Sequence, residues 1–188
     1  MDQDKNLTLQ PLITEAEIKD RVNEIVKAIA NDFKGDELVV VGLLKGSFMF
    51  LSDLVRLLHS QNIPLLIDFM IVSSYESKTE SSGRIRLIRD ITTDIKDRWV
   101  LLVDDILDTG RTLDFVVKYL LKKKPAVLKT CVFLDKPARR VVPVRVDYTG
   151  FSIPDAFVVG YGLDYDSRYR EMPYISIFSS GTSTPCCP

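Results

Sequence analysis

Short apolar runs alternate with helical patterns along the chain, and this alternation restricts the possible folds more than any other feature. Leu38 to Val41 is apolar at every position, as is typical of a strand buried on both faces within a parallel sheet. Trp99 to Val103 is a second such run, and Val127 to Leu134 is the next expected strand. Strands that alternate with helices form right-handed βαβ units. The sequence therefore predicts an α/β fold with a mostly parallel, twisted sheet that is flanked by helices.

Three segments have the periodicity of amphipathic helices. Thr14 to Phe33 places its apolar residues on one face, and its first residues can form a capping box. Ser47 to Leu58 is expected to pack back on the strand that precedes it. Leu113 to Leu121 carries a third apolar stripe, in a helix that is expected to run to about Lys124. Further strands are expected at Leu65 to Val72, Arg84 to Arg89, Ala156 to Val159 and Tyr174 to Phe178.

The composition limits the class of protein and its location. The 25 basic and 26 acidic side chains give a net charge of −1, which argues against a protein that coats nucleic acid. The three cysteines include no CxxC pair, so neither a zinc site nor a disulfide framework is indicated, and a reducing, cytoplasmic location is expected. The apolar run from Leu38 stops at Lys45, far short of the ~20 residues that a membrane helix needs. We expect no membrane partner, one domain over residues 1–178 and a flexible tail over residues 179–188.

The stretch from Val100 to Thr112 carries the most chemical information. It runs from an apolar strand through three acidic residues into Thr-Gly-Arg-Thr, which opens a helix. A helix N-terminus offers free N–H groups and a positive dipole end to a phosphate, and Gly110 lets the backbone approach closely. Asp104 and Asp105 repel phosphate, so we expect them to hold ribose hydroxyls or a hard cation such as Mg²⁺. By themselves these two acids are typical of a solvated strand end, whereas the whole stretch favours a binding site.

Four further motifs follow one another along the chain: Gly42 to Ser47, Ser74-Tyr75, Leu134 to Pro137, and Pro154 to Tyr165. Together with Val100 to Thr112 they resemble the hypoxanthine-guanine phosphoribosyltransferases, which are type I phosphoribosyltransferases. The resemblance covers about Thr14 to Phe178. It implies a small hood lobe, built from the chain ends, over the C-terminal ends of the strands. It also implies a reaction in which a 6-oxopurine and 5-phosphoribosyl 1-pyrophosphate give IMP or GMP and pyrophosphate.

The resemblance assigns a role to each matching residue. Asp108 corresponds to the presumed general base at purine N7, although an acid there could also cap the helix. The ribose and 5′-phosphate would contact Asp104, Asp105, Asp108, Thr109, Gly110, Arg111 and Thr112. Pyrophosphate would contact Lys45, Gly46, Ser74, Tyr75 and Arg170, with a cis peptide after Leu44. The purine would contact Lys136, Phe157, Val158 and Asp164, and Mg²⁺ would contact Asp104, Asp105 and Asp164.

Several of these assignments have simpler alternatives. Phe157 could be an ordinary core aromatic, and Arg170 could be a solvated side chain. Ser73 to Gly83 could be an idle surface loop, whereas in the family the matching loop closes over the reaction and excludes water. The basic clusters Lys122 to Lys124 and Arg139-Arg140 are adequately explained as solvated ends of elements.

Two other functions remain open from the sequence. One is a xanthine-preferring relative, and the other is a regulator with the same fold that senses nucleotides and binds RNA. Lys136 argues against adenine as the substrate, because two hydrogen-bond donors would then face each other. The near-neutral charge makes a nucleic-acid partner unexpected, and the resemblance implies a homodimer or homotetramer.

Overall fold

The computed structural model describes residues 7–74 and 85–180. In chain order the elements are β1 (Leu7–Ile13), α1 (Glu15–Asp32), β2 (Leu38–Leu44), α2 (Phe48–Ser60), β3 (Leu65–Ser74), β4 (Ile85–Arg89), β5 (Trp99–Leu107), α3 (Arg111–Leu121), β6 (Val127–Asp135), a 3-10 turn (Pro137–Arg139), β7 (Tyr148–Ser152), β8 (Val158–Val159) and β9 (Ile175–Ser180). Within these ranges no helix is both long and apolar enough to cross a membrane.

The main sheet has six strands in the order β4-β3-β2-β5-β6-β7. Every neighbouring pair is parallel except β3 with β4. The predicted α/β fold with a mostly parallel sheet is confirmed. β5 continues through Leu107, four residues beyond the expected end, because its pairing with β6 extends to Asp135. The acids expected after this strand therefore lie within it.

Helices cover both faces of the main sheet. Val39 and Val41 of β2 pack in one core with α3, whereas Val40 packs in the other with α1 and α2. This alternation explains why the run is apolar at every position. At the start of α1, Thr14 and Glu17 form the predicted capping box. In contrast, the apolar stripe of α3 is narrower than predicted, because Leu121 is 52% exposed.

Asp68 of β3 fastens the segment that follows β4. Its buried carboxylate accepts hydrogen bonds at 2.7 Å from the backbone N–H groups of Phe69, Thr92 and Thr93. Burial by itself would raise the pKa of Asp68, but the N–H donors outweigh it and lower the pKa to about 2. The carboxylate thus links two chain segments on either side of residues 75–84.

A second, antiparallel sheet forms the hood from both ends of the chain, in the order β1-β9-β8. The sequence pattern does not predict β1, in which Pro11 interrupts a short alternating run. It also does not predict β7, which Arg21 of α1 holds through hydrogen bonds to two of its carbonyl oxygens. β9 continues to Ser180, so the first two residues of the expected tail pair with Thr8 and Leu7. Residues 181–188 lie outside the described ranges.

Candidate active site

The carboxyl ends of three adjacent strands meet at one edge of the main sheet. β2 ends at Leu44, β6 ends at Asp135, and β5 lies between them. Ligands of open α/β sheets bind at such an edge. A loop of the hood reaches the same place, because a Cβ on Gly162 would lie 2.0 Å from the backbone oxygen of Gly46. Most of the predicted site residues lie in these segments.

The turn after β5 is shaped to receive an anion. Gly110 is the N-cap of α3 and has a left-handed φ of 85°. A Cβ at this position would lie 2.4 Å from the backbone oxygen of Val142. The carbonyl of Thr109 accepts hydrogen bonds from the loop after β6, including one of 2.9 Å from Val142 N–H. The N-cap of α3 is Gly110, so the interpretation of Asp108 as the cap is wrong. The N–H of Arg111 lies 3.4 Å from Oγ1 of Thr109, whereas the next N–H groups of the first turn have no side-chain acceptor among the described residues and can bind an anion.

Asp104 and Asp105 form an acidic pair beside this turn. Asp104 is 7% exposed, and its Oδ1 accepts a hydrogen bond of 3.0 Å from the backbone N–H of Asp105. Burial raises the pKa of Asp104 well above its ordinary value, and the charge of Asp105 raises it further. Burial also raises the pKa of Asp105. The two carboxylates therefore have too few positive charges and hydrogen-bond donors nearby to offset their burial. The interpretation of the pair as a solvated strand end is wrong.

Two glycines allow the loop after β2 and the hood loop to lie close to this acidic pair. The peptide bond between Leu44 and Lys45 is cis, as the resemblance implies, and Gly46 follows it. A Cβ on Gly46 would lie 1.6 Å from Oδ2 of Asp105. Since a Cβ on Gly162 would likewise collide with the carbonyl oxygen of Gly46, neither position has room for a side chain.

Arg170 projects from the hood loop to the same place. Its guanidinium pairs with Oδ1 of Asp164 at 2.7 Å and donates to the carbonyl oxygen of Gly162 at 2.5 Å. The charge of Arg170 is one of the influences that oppose the rise in the pKa of Asp105. Oδ2 of Asp164 accepts the backbone N–H of Ser167 at 2.8 Å. Arg170 is thus held in place rather than solvated, and both oxygens of Asp164 are engaged.

Lys136 and Phe157 mark the opposite end of the site. Lys136 follows β6 and is 5% exposed, and its N–H donates to the carbonyl of Leu107 at 2.9 Å. Burial lowers the pKa of Lys136, the charge of Asp108 opposes this, and that of Arg139 adds to it. The ring of Phe157 is 52% exposed, so its interpretation as a core aromatic is wrong.

Val158 offers its backbone to the site. Phe178 N–H of β9 donates to the carbonyl of Phe157, the residue before β8, at 2.8 Å. Val158 is paired with Ile177 at the next position, where backbone groups point away from the partner strand. In the described hood sheet β8 is an edge strand. The N–H and C=O of Val158 are therefore free to meet a planar ligand.

The general-base candidate, Asp108, is held by two arginines. Nε of Arg139 lies 3.0 Å from its Oδ1, and Nε of Arg140 donates to its carbonyl oxygen at 3.1 Å. The guanidinium of Arg140 also pairs with the carboxylate of Asp135. The interpretation of Arg139-Arg140 as a solvated cluster is wrong for Arg140, whose side chain is 20% exposed. The two arginines follow Lys136 in a loop at the carboxyl end of a strand, and this position in the sequence could have indicated that they belong to the site.

Two groups of predicted residues are not tested by the structure. The side chain of Ser74 and all of Tyr75 lie outside the described residues, as does most of the loop from Ser73 to Gly83. In the part of the chain that the structure describes, no three His, Cys, Asp or Glu side chains are close enough to hold a metal ion together. The contacts of Asp104, Asp105 and Asp164 with Mg²⁺ stay a prediction.

Comparison with known proteins decides the family. A model of the phosphoribosyl transferase domain matches residues 13–166. The chain belongs to the phosphoribosyltransferase family.

Individual phosphoribosyltransferases resemble it over most of their length. The hypoxanthine-guanine phosphoribosyltransferase of Aquifex aeolicus is 50% identical over 168 residues, which are 89% of this chain and 93% of that protein. The hypoxanthine phosphoribosyltransferase of Salmonella typhimurium is 46% identical, over 89% of this chain and 94% of that protein. The solved hypoxanthine phosphoribosyltransferase of Trypanosoma cruzi superposes with a TM-score of 0.85 at 44% identity, covering 90% of this chain and 95% of that one. The predicted family, fold and enzyme class are confirmed.

Proposed function

We propose that this phosphoribosyltransferase joins hypoxanthine or guanine to 5-phosphoribosyl 1-pyrophosphate and releases pyrophosphate, giving IMP or GMP. The observation that carries the proposal is the convergence of three complementary parts at one sheet edge. The uncapped start of α3 suits the 5′-phosphate. The pair of Asp104, which is buried, and Asp105, which is partly buried, suits the ribose hydroxyls, and Lys136 with the exposed ring of Phe157 suits a purine. The names of the relatives favour the same substrates.

Asp108 is proposed as the general base. The C1′–O bond breaks with its electron pair leaving on pyrophosphate, and N9 of the purine uses a lone pair to bond C1′. The purine then carries one proton too many, and Asp108 accepts it from N7. Oδ1 of Asp108 accepts no hydrogen bond among the described residues, so its lone pairs are not committed to another donor.

Departure of pyrophosphate leaves positive charge on the sugar. The carboxylates of Asp104 and Asp105 lie where they can stabilise that charge and hold the ribose hydroxyls. The two carboxylates also suit a hard divalent cation, and Mg²⁺ characteristically uses one or two carboxylates together with substrate phosphates. Mg²⁺, when bound, would neutralise charge on the pyrophosphate. Asp164 would reach the ion only by releasing Arg170 or Ser167, so we assign it to the orientation of Arg170.

The leaving group would lie between the two lobes. The backbone at Lys45 and Gly46 can contact pyrophosphate closely, because no side chain fits between Gly46 and Asp105. A guanidinium can hold phosphate through two parallel hydrogen bonds, which suits Arg170. Ser74 and Tyr75, on a loop proposed to close over the site, would complete the contacts and exclude water that could capture the sugar cation.

Lys136 provides the proposed selectivity for 6-oxopurines. Its ammonium group can donate to the 6-oxo group, whereas the amino group of adenine is itself a donor. An unpaired buried donor costs ~1–3 kcal/mol, which disfavours adenine. Phe157 would stack on the purine, and the free N–H and C=O of Val158 would contact its edge.

The decisive experiment is the substitution Asp108→Asn. It keeps the size of the side chain and removes the base, so turnover of hypoxanthine should fall by ~10²–10⁴ while binding of 5-phosphoribosyl 1-pyrophosphate persists. Asp114→Asn is the matched control, because Asp114 lies nearby in the first turn of α3 and its carboxylate pairs with Lys118 at 2.8 Å. Unchanged turnover in Asp108→Asn would remove this residue from the mechanism. The same assay run with hypoxanthine, guanine, xanthine and adenine would identify the preferred base.

The remaining expectations belong to the same proposal. We infer that residues 1–178 act as one catalytic domain in which the hood provides the purine side of the site. A cytoplasmic location and a homodimeric or homotetrameric assembly remain predictions, which fractionation and light scattering would test.

A further inference from the structure

Arg139 occupies a bridging position between the two lobes of the site. It ends the 3-10 turn that follows Lys136. Its Nε lies 3.0 Å from Oδ1 of Asp108, and its Nη1 lies 3.7 Å from Oδ1 of Asp155, two residues before Phe157. One guanidinium therefore spans from the phosphate-binding turn to the hood, beside the space assigned to the purine.

The contact between Arg139 and Asp108 has an unusual geometry. The two side chains are close enough for a strong ion pair, yet Oδ1 of Asp108 is buried and accepts no hydrogen bond among the described residues. The contact is thus an ion pair without the geometry of a hydrogen bond, since hydrogen bonds weaken steeply when the donor N–H does not point at the acceptor. The guanidinium therefore compensates the charge of the carboxylate without using a lone pair of Oδ1. The carboxylate is stabilised but remains able to accept a proton from another group.

The two neighbouring arginines have separate tasks in this arrangement. Arg140 binds the backbone: it donates to the carbonyl oxygens of Leu107 and Asp108, and it pairs with the carboxylate of Asp135. Only Arg139 contacts the carboxylate of Asp108 among the ion pairs of residues 7–74 and 85–180. The orientation of that carboxylate therefore depends on Arg139.

We propose that Arg139 is a positioning residue for the transfer reaction, which orients the Asp108 carboxylate toward purine N7 while Asp155 steadies the other end of its guanidinium. The inference rests on the proposed function, because it assumes that Asp108 accepts the N7 proton. It goes further by assigning to a half-exposed surface arginine a part in the chemical step. In this arrangement Arg139 acts through Asp108.

A double-mutant cycle tests this assignment. Arg139→Gln should lower kcat with hypoxanthine by about tenfold to a hundredfold, since misplacing a reacting group by an ångström can cost that much. The KM for 5-phosphoribosyl 1-pyrophosphate should stay within about twofold of the parent value. In the Asp108→Asn background, Arg139→Gln should have no further effect on kcat, because the group that it orients is no longer a base. Arg145→Gln is the matched control, at an arginine that is 86% exposed and pairs only at 3.6 Å with Asp147.

Each other outcome overturns a defined part of the reasoning. Full kcat in Arg139→Gln, a raised KM for 5-phosphoribosyl 1-pyrophosphate, or additive losses in the double variant would each refute the positioning role. Full kcat in Asp108→Asn would instead refute the proposed base and leave Arg139 without a task. Thermal unfolding of every variant checks the fold, and Arg139→Met, which keeps the apolar stem, is the replacement if Arg139→Gln does not fold.

Discussion

The contact between Gly46 and Asp105 allows a quantitative prediction for Gly46→Ala. The added methyl group would lie 1.6 Å from Oδ2 of Asp105, whereas a carbon and an oxygen in contact are separated by about 3.3 Å. Gly46 cannot retreat, because Gly162 is packed against its carbonyl oxygen. The carboxylate of Asp105 must therefore move by about 1.7 Å, away from the position proposed for the ribose.

A displacement of this size should be measurable in the kinetics. Misplacement by about 1 Å can cost about a hundredfold in rate, so kcat/KM for 5-phosphoribosyl 1-pyrophosphate should fall by at least about that factor. This loss corresponds to about 2.7 kcal/mol of transition-state stabilisation. The assay varies 5-phosphoribosyl 1-pyrophosphate at saturating hypoxanthine and Mg²⁺, with thermal unfolding recorded in parallel.

Gly35→Ala provides the control. Its added methyl group would lie 3.0 Å from Cδ1 of Trp99, at the amino-terminal edge of the sheet, far from the site in the fold. This variant should keep its kcat/KM within about twofold and lose only a little stability. If Gly46→Ala also kept its kcat/KM within about threefold, the close contact between Gly46 and Asp105 would not determine the position of this carboxylate. The proposed contact between Asp105 and the ribose would then be refuted.

Three further predictions concern the purine site and the scaffold. Phe157→Ala should raise the KM for hypoxanthine by about tenfold to a hundredfold, since stacking contributes ~1–3 kcal/mol per base, and an unchanged KM would argue against stacking. Lys136→Ala should narrow the ratio of kcat/KM between hypoxanthine and adenine by about tenfold or more; a ratio like the parent's would mean that another group reads the base. Asp68 should stabilise the folded chain by about 2 kcal/mol above pH 4, because folding lowers its pKa from 3.8 to about 2, and this contribution should be lost as the pH falls through that interval. Urea unfolding of the parent and of Asp68→Asn at pH 7, 4 and 2 would measure it, and parallel declines in the two proteins would contradict the assignment.

Local patterns were sufficient for the elements of the main sheet. The run from Leu38 identified a strand buried on both faces, and the observed alternation of Val39 and Val40 between two cores gives the physical reason. The capping box at Thr14 placed the start of α1 correctly. These features depend on neighbours within about one turn or one strand, which is the range over which a sequence pattern carries information.

The hood and the charge network depended on long-range contacts instead. β1 and β9 pair although Thr8 and Ser179 are 171 residues apart in the chain, and the short pattern of β1 does not show that a partner exists. The contacts of Arg139 could not be predicted from the pair Arg139-Arg140, because a sequence does not distinguish two adjacent arginines. In the fold one contacts a carboxylate and the other contacts backbone carbonyl groups. The exposure of Phe157 was undecided for the same reason, since an aromatic residue at a strand start suits either a core or a ligand.

The order of strands in the hood has a consequence for how the enzyme is made. β9 is the middle strand, so β1 and β8 have nothing to pair with until residues 175–180 are present. All six strands of the main sheet lie between residues 38 and 152, and the turn before α3 has its contacts with Val142 within the same range. During synthesis, the strands of the main sheet are therefore all present before residue 175 is made, whereas the hood sheet can form only when the last strand is added.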